Sequence, residues 1–363
     1  MYNFPIENKE KYFKNNNDNN IIKDKNTSII LITGITGLIG SNVCRSLLLN
    51  PKNKIYGLIR LRSDLSNLIG ILDKITLKYG DITDSFQMNS MIKEISPDYI
   101  YHFAAQSTNG ISETIPELTL QTNIMGTFYI LEALKNNQLF HCRFILASSS
   151  TVYGESAKLN PKGIAEDIPT KPITMYGTSK LSDEVLSLTY YYNYNLPVII
   201  LRFFIQIGKE SNEFISISSF AKQIALLEFE KEKNMNNNKS ILYHGNLNTF
   251  RDISNIEETT PYIILIAENS NPAEIFNIGS GILIEIKELI VEAVKQSIIP
   301  IELQFDPKKF RNTDEHILLA DISKLKNFIF THTGQMYNPI FHKTEVIRNI
   351  LQYWRQKIKR LYI

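Results

Sequence analysis

The stretch MYGTSK, residues 175–180, carries two side chains able to do acid–base chemistry: the phenol of Tyr176 and the ammonium of Lys180. On a helix, positions four apart lie on one face. An ammonium beside a phenol stabilises the phenolate and lowers a tyrosine pKa from its ordinary ~10. A phenol tuned in this way gives or takes a proton near neutrality. Y-x-x-x-K also recurs by accident, so its weight depends on what the rest of the chain brings beside it.

The first such context is LITGITGLIG, residues 31–40, where an apolar run ends on Gly34, Gly37 and Gly40. One glycine lets the chain turn sharply, another lets backbone approach a diphosphate, and the last lets the next helix pack closely on the sheet. A helix beginning near Leu38 directs its free N–H groups and positive dipole end at that diphosphate. Gly34, Thr36, Gly37, Leu38, Ile39 and Gly40 are therefore candidate dinucleotide contacts; the competing reading is a glycine-rich turn without a ligand. An acidic residue about 20 positions further on would hold a ribose 2′-hydroxyl and select NAD. Arg60 and Arg62 stand there instead, in IRLRSD. An arginine there can meet a 2′-phosphate through a charge-assisted contact, which favours NADP(H) over NAD(H). The alternative is a solvated arginine pair, with Asp64 or a backbone group holding the ribose. In YGDITD, Asp81 is placed to accept from an adenine amino group and Ile82 to cover the ring. FAAQS, 103–107, ends a strand on small residues that permit close approach of a cofactor, through Ala104, Ala105 and Gln106.

These residues need a frame. The runs at 29–33, 54–59, 74–82, 99–105, 143–149 and 197–204 are short and largely apolar without alternation, as suits strands covered on both faces. Stretches of helical spacing separate them, NIMGTFYILEALKNN being the clearest. Right-handed crossovers then give an α/β fold: a doubly wound parallel-sheet Rossmann domain with a smaller, mixed C-terminal substrate lobe. Residues 1–27 read as a flexible arm, too polar to bury much. Residues 28–204 form the Rossmann domain, a segment around 241–266 returns to it, and 205–363 are mainly the lobe. The basic amphipathic stretch KTEVIRNILQYWRQKIKR is expected to pack on that lobe through Ile347, Ile350, Leu351 and Trp354.

The 363 residues include 39 Lys plus Arg against 37 Asp plus Glu, so no nucleic acid or anionic membrane is implied as partner. There is no apolar run of transmembrane length and no leader-like segment, which makes the cytoplasm the expected compartment. Cys44 and Cys142 read as two reduced core thiols. The six histidines form no ligand-spaced pair, so no metal is expected. His102 reads as a packed or backbone-bonded strand residue.

Together, TGITGLIG, SSSTVYG and YGTSK resemble the extended short-chain dehydrogenase/reductase (epimerase/dehydratase) family acting on nucleotide sugars, over roughly residues 28–357. FAKQIALLE (220–228), GNLNTFRDI (245–253), DPKKFRNTD (306–314) and TEVIRNILQYWR (344–355) are similar to segments of its GDP-4-keto-6-deoxy-mannose reductases and GDP-mannose 4,6-dehydratases. The resemblance implies that Ser149 hydrogen-bonds the reacting oxygen of the substrate. It implies that Tyr176 transfers the proton, and that Lys180 holds the nicotinamide ribose and tunes Tyr176. It implies that Arg251 contacts the substrate diphosphate, that Lys222 and Arg311 meet the nucleotide, and that Ser107 and Gln206 line the sugar side. A GDP-linked sugar and a homodimer built on helices around 113–137 and 176–193 follow from the same likeness. Two positions depart from the family pattern. Thr151 stands where the dehydratases carry an acidic residue, and Ile205 stands where Asn usually contacts substrate. The reading is an NADP-dependent reductase of a 4-keto sugar. A C4 epimerase with the same triad is the alternative, a 4,6-dehydratase is disfavoured, and a non-catalytic NADP(H) sensor is remote.

Overall fold

The apolar runs become β1 (Ile29–Thr33), β2 (Lys54–Ile59), β3 (Thr76–Tyr79), β4 (Tyr99–His102), β5 (Arg143–Ser149) and β6 (Val198–Phe203) of one parallel sheet. The computed structural model describes residues 27–213, 215–233, 239–309 and 317–362. Of the arm expected over 1–27, only Thr27 falls within them, and Arg311 lies outside. Both faces of the sheet are covered, which is why its central strands are largely apolar rather than alternating, whereas the edge strand β3, TLKY, is exposed at both ends. Ile30, Ile32, Ile145, Ile199 and Leu201 join one core; Leu31, Phe144, Leu146, Val198 and Ile200 join the other. Successive side chains of a strand thus enter opposite layers, as the two-residue period requires.

The first layer is closed by the helices Leu38–Leu47, Ile256–Asn269 and Ser323–Thr333, through Val43, Leu47, Ile263, Ile266 and Ile329. The second is closed by Ser85–Ile95, Gly126–Asn136 and Met175–Tyr194, through Met88, Ile92, Ile130, Leu134 and Tyr190. Cys44 and Cys142 are buried free thiols, one in each layer.

β7 (Ile205–Ile207), β8 (Ile241–His244) and β9 (Phe250–Asn255) precede β10 (Ile275–Ile278); β11 (Leu283–Glu285), β12 (Glu302–Phe305) and β13 (Ile317–Leu318) follow it. The large sheet runs β10-β6-β5-β4-β1-β2-β3. Of the 241–266 segment expected to return, the helix beginning at Ile256 does so by closing the first layer, while the strand that joins the sheet is β10, further on. β8 pairs with β12, and β9 with β7, β11 and β13, so neither can reach the large sheet. These short strands and the helices Ser216–Glu232, Ile286–Lys295 and Lys343–Leu361 enclose a separate core. Ile347, Ile350, Leu351 and Trp354 of the last helix lie buried in it, with the Trp354 indole donating to Ser218 Oγ at 2.8 Å. Strand order reverses between β1 and β4, and that is where a sheet of this kind opens a crevice beyond its carboxyl ends.

Candidate active site at the carboxyl edge of the sheet

β1 ends on Gly34, whose φ of +69° an L side chain rarely adopts. A Cβ there would also lie 2.6 Å from Ala104 N, so the turn after β1 is pressed onto the chain leaving β4. A Cβ at Gly40 would fall 2.3 Å from Gly34 O, so the helix can begin against its own turn only with glycine at that position. Gly37 is exposed and is the N-cap of Leu38–Leu47; it brings no side chain to cap the first N–H groups. Those donors, between half-buried Thr36 and Ile39, are what a phosphate at a helix N-terminus uses. The cradle therefore fits a dinucleotide.

Arg60 and Arg62 stand exposed just past β2 and form no ion pair among the described residues. Asp64, the alternative holder of the ribose, is engaged by Lys357 of the last helix at 2.8 Å. The same helix reaches the glycine turn: Tyr353 Oη donates to Asn67 Oδ1 at 3.0 Å, and Asn67 Nδ2 donates to Thr36 O at 2.9 Å. Asp81 Oδ1 accepts from Thr83 N and Oγ1, which fixes the turn after β3. The Ile82 side chain is buried in the core, packed on Gly126. It is thus committed to the interior rather than left open to cover a ring, the role expected for it.

Ala104, Ala105 and Gln106 line the exit of β4, with Ser107 exposed beyond them. Asn123 fastens this exit to the neighbouring helix. Its Oδ1 accepts from Gln106 N at 2.7 Å, and its Nδ2 donates to Gln106 O and to Ser179 Oγ. Sequence reasoning passed over Asn123, although the helical stretch that holds it was conspicuous; its partners, Gln106 and Ser179, are 17 and 56 residues away.

Ser149 closes β5. Its Oγ accepts from Thr151 N and Thr151 Oγ1, at 3.2 and 2.9 Å, and so retains its own hydrogen for another partner. Thr174 caps Met175–Tyr194 by accepting from Gly177 N at 3.0 Å, and Tyr176 follows in the first turn. The helix presses on the Ser150–Val152 turn, with the Gly177 Cβ position 2.6 Å from Thr151 O. That approach brings Tyr176 beside Ser149, whose hydroxyl acts on the phenol to favour its ionised form. Burial raises the Tyr176 pKa, against the opposing pull of Lys180 and Ser149. The lowering expected from Lys180 alone is thus outweighed. Lys180 is itself buried, and its Nζ lies 2.6 Å from Asp183 Oδ2.

The next residue of that helix, Glu184, makes a two-pronged pair with Arg202 at 2.9 and 2.8 Å and also accepts from Ser148. Arg202 Nη1 donates to the buried Tyr153 hydroxyl, which donates to Asn277 Oδ1. This cluster ties β5, β6 and β10 together, a structural task.

Of the residues expected on the sugar side, Gln206 is turned inward. Its Nε2 donates to Phe204 O and Ile278 O, and its Oε1 accepts from Thr259 Oγ1 at 2.7 Å. Clamped to backbone on both sides, it is not presented to a substrate. Lys222 is paired with Glu213 and lies over the Trp354 ring. Arg251, buried on β9, donates to Phe250 O. Among the described residues no His, Cys, Asp or Glu cluster could hold a metal ion.

Comparison with known proteins adds to this geometry. The family model described as GDP-mannose 4,6 dehydratase matches residues 31–329. The chain is 27% identical over 337 residues to a GDP-mannose 4,6-dehydratase of Yersinia enterocolitica, covering 82% of this chain and 87% of the relative. It is 26% identical over 263 residues to a GDP-6-deoxy-D-mannose reductase of Pseudomonas aeruginosa, covering 72% of this chain and 82% of the relative. Among solved structures, RMD from Pseudomonas aeruginosa complexed with NADPH superposes with a TM-score of 0.72 at 22% identity, over 91% of this chain and 100% of the other.

Proposed function

Because this chain belongs to the GDP-mannose 4,6-dehydratase family, within the extended short-chain dehydrogenase/reductases, we propose that it is an NADP-dependent nucleotide-sugar oxidoreductase that reduces the 4-keto group of a GDP-linked 6-deoxy-hexose. The observation that carries the reading is that Tyr176 and Lys180 sit one turn apart on a helix whose Gly177 packs against the turn following Ser149. When bound, NADPH supplies the hydride that reaches the carbonyl carbon. Ser149, whose oxygen accepts from Thr151, donates to the carbonyl oxygen and orients it. Tyr176 delivers its phenolic proton to that oxygen as negative charge develops there, and the alcohol leaves. Solvent then returns a proton to the phenolate. Lys180 opposes the cost of that phenolate and holds the nicotinamide ribose. Arg60 and Arg62 meet the 2′-phosphate, and Arg251, Lys222 and Arg311 meet the nucleotide diphosphate of the sugar. Residues 205–363 form most of the lobe that receives it.

Thr151 supports reduction over dehydration. Where the dehydratases carry an acid to help remove water, this chain has a hydroxyl donated to Ser149. The same residue favours C4 epimerisation as a second reading. We further propose a cytoplasmic homodimer, joined through exposed Ile115, Leu118, Val185 and Tyr192 on the helices expected to pair. No described helix is long and apolar enough to cross a membrane. Incubation with GDP-4-keto-6-deoxy-mannose and NADPH tests the reaction. One NADPH consumed per sugar is expected. An isomerised sugar with no net NADPH loss establishes the epimerase instead.

A further inference from the structure

The Lys180–Asp183 pair is not what a purely structural ion pair looks like. Both side chains are almost wholly buried, yet the contact is single-pronged, and Asp183 Oδ1 has no hydrogen-bond partner among the described residues. Removing two charges from water costs several kcal/mol per ion unless good geometry and further hydrogen bonds offset it. Glu184, one residue on, has both: two prongs to Arg202 and a serine donor.

Behind Asp183 stands a line of buried polar groups leading back to the crevice. Ala104 N donates to Thr33 Oγ1 at 3.2 Å; Thr33 Oγ1 meets His102 Nδ1 at 2.8 Å; His102 Nε2 meets Thr127 Oγ1 at 3.1 Å. The Thr127 hydroxyl helps keep the Asp183 carboxylate ionised. One assignment satisfies every member. Thr33 accepts from the amide and donates to Nδ1, His102 carries its proton on Nε2, and Thr127 accepts from it. Burial holds His102 neutral, its pKa down to about 3, with Lys180 pushing the same way. His102 is therefore a fixed donor, packed in the core as one of the two sequence readings had it, and bonded through side chains on both nitrogens rather than to backbone.

We propose that Asp183 is a positioning residue whose buried carboxylate, braced through Thr127 and His102, holds the Lys180 ammonium and damps its pull on Tyr176, and so sets the proton affinity of the catalytic phenol. The inference rests on the reading of Tyr176 and Lys180 as the proton-transfer pair. Few charges face the group. Lys180 and Glu184 share its helix, His102 of β4 is neutral, and Arg202 of β6 is taken up by Glu184. Burial raises the Asp183 pKa to about 6, against Lys180 and Thr127, so the carboxylate is charged at neutral pH and loses its damping action as pH falls below that value.

The test is direct titration of Tyr176 in the full chain, by NMR of ring-labelled tyrosine with Tyr176→Phe as the assignment. In Asp183→Asn the ammonium acts on the phenol without a counter-charge, so the Tyr176 midpoint is expected about one pH unit below that of the unmodified chain. An unchanged or raised midpoint overturns the proposal. Should Asp183→Asn fail to fold, Thr127→Val removes the brace alone and must move the midpoint in the same direction by less; no movement there overturns it equally. The titration needs no substrate. A chain that reduces no keto sugar yet shows the shift would sink the functional reading and keep this one.

Discussion

At the carboxyl edge of the large sheet, the glycine turn offers uncapped backbone donors, and Arg60 and Arg62 stand exposed without an ion pair among the described residues. In the lobe, the cations expected to meet substrate already have partners: Lys222 has Glu213 and Arg251 has Phe250 O, while Gln206 is turned inward. The difference teaches how the two ligands must bind. A dinucleotide adds contacts to groups that hold none to protein, so its site is set before it arrives. A nucleotide sugar must exchange internal contacts for its own, so its site is completed only as it binds, at some cost in affinity.

The largest expected effect lies where the halves meet. Tyr176→Phe keeps the ring and removes the proton, and should lower kcat for keto-sugar reduction by about 100-fold or more at an unchanged melting temperature. Undiminished turnover would remove the phenol from the mechanism and leave the comparison without its hinge. Next comes the open edge. Replacing Arg60 and Arg62 together by Ala should weaken NADPH by about 10- to 100-fold and NADH by far less, since only the former carries the 2′-phosphate. Equal losses in fluorescence titrations would mean that these cations are not a binding surface. The stiffness of that edge is open to test through Gly40→Ala. With its Cβ position 2.3 Å from Gly34 O, it should lower unfolding free energy by about 1–3 kcal/mol, read from denaturant midpoints. The smallest effect is expected in the lobe. Glu213→Gln frees Lys222 and should lower KM for the nucleotide sugar about two- to fivefold, in keeping with the about 0.2–1 kcal/mol of an exposed pair. A raised KM would show that Glu213 presents the lysine rather than competing for it.

The sheet could be read from the sequence because strands buried on both faces show short, largely apolar runs, although PYIILIA, 261–267, has the same look and lies in the helix Ile256–Asn269. Tyr176 and Lys180 could be read because their partnership is local, one turn of helix apart. The returning strand β10 could not. Its four residues, IFNI, are too short to announce themselves, and Asn277 interrupts them with a side chain that a buried tyrosine engages. Asn123, Thr127 and Asp183 were missed, and the partners of His102 with them, for another reason. Each alone resembles an ordinary polar residue in a core, and what gives it meaning is a partner on a different strand or helix. The pKa of Tyr176 was misjudged because Asp183 was not considered as a competitor for Lys180 and burial was left out.

The contacts of Tyr353 and Lys357 with Asn67 and Asp64 join residues 286 and 293 positions apart. A ribosome therefore makes the glycine turn early and the helix that buttresses it much later. During synthesis the turn waits, shaped by its own glycines but unsupported on one side, until that helix emerges and docks. Translation halted before residue 353 would release a chain with its large sheet complete and its nucleotide cradle lacking a wall.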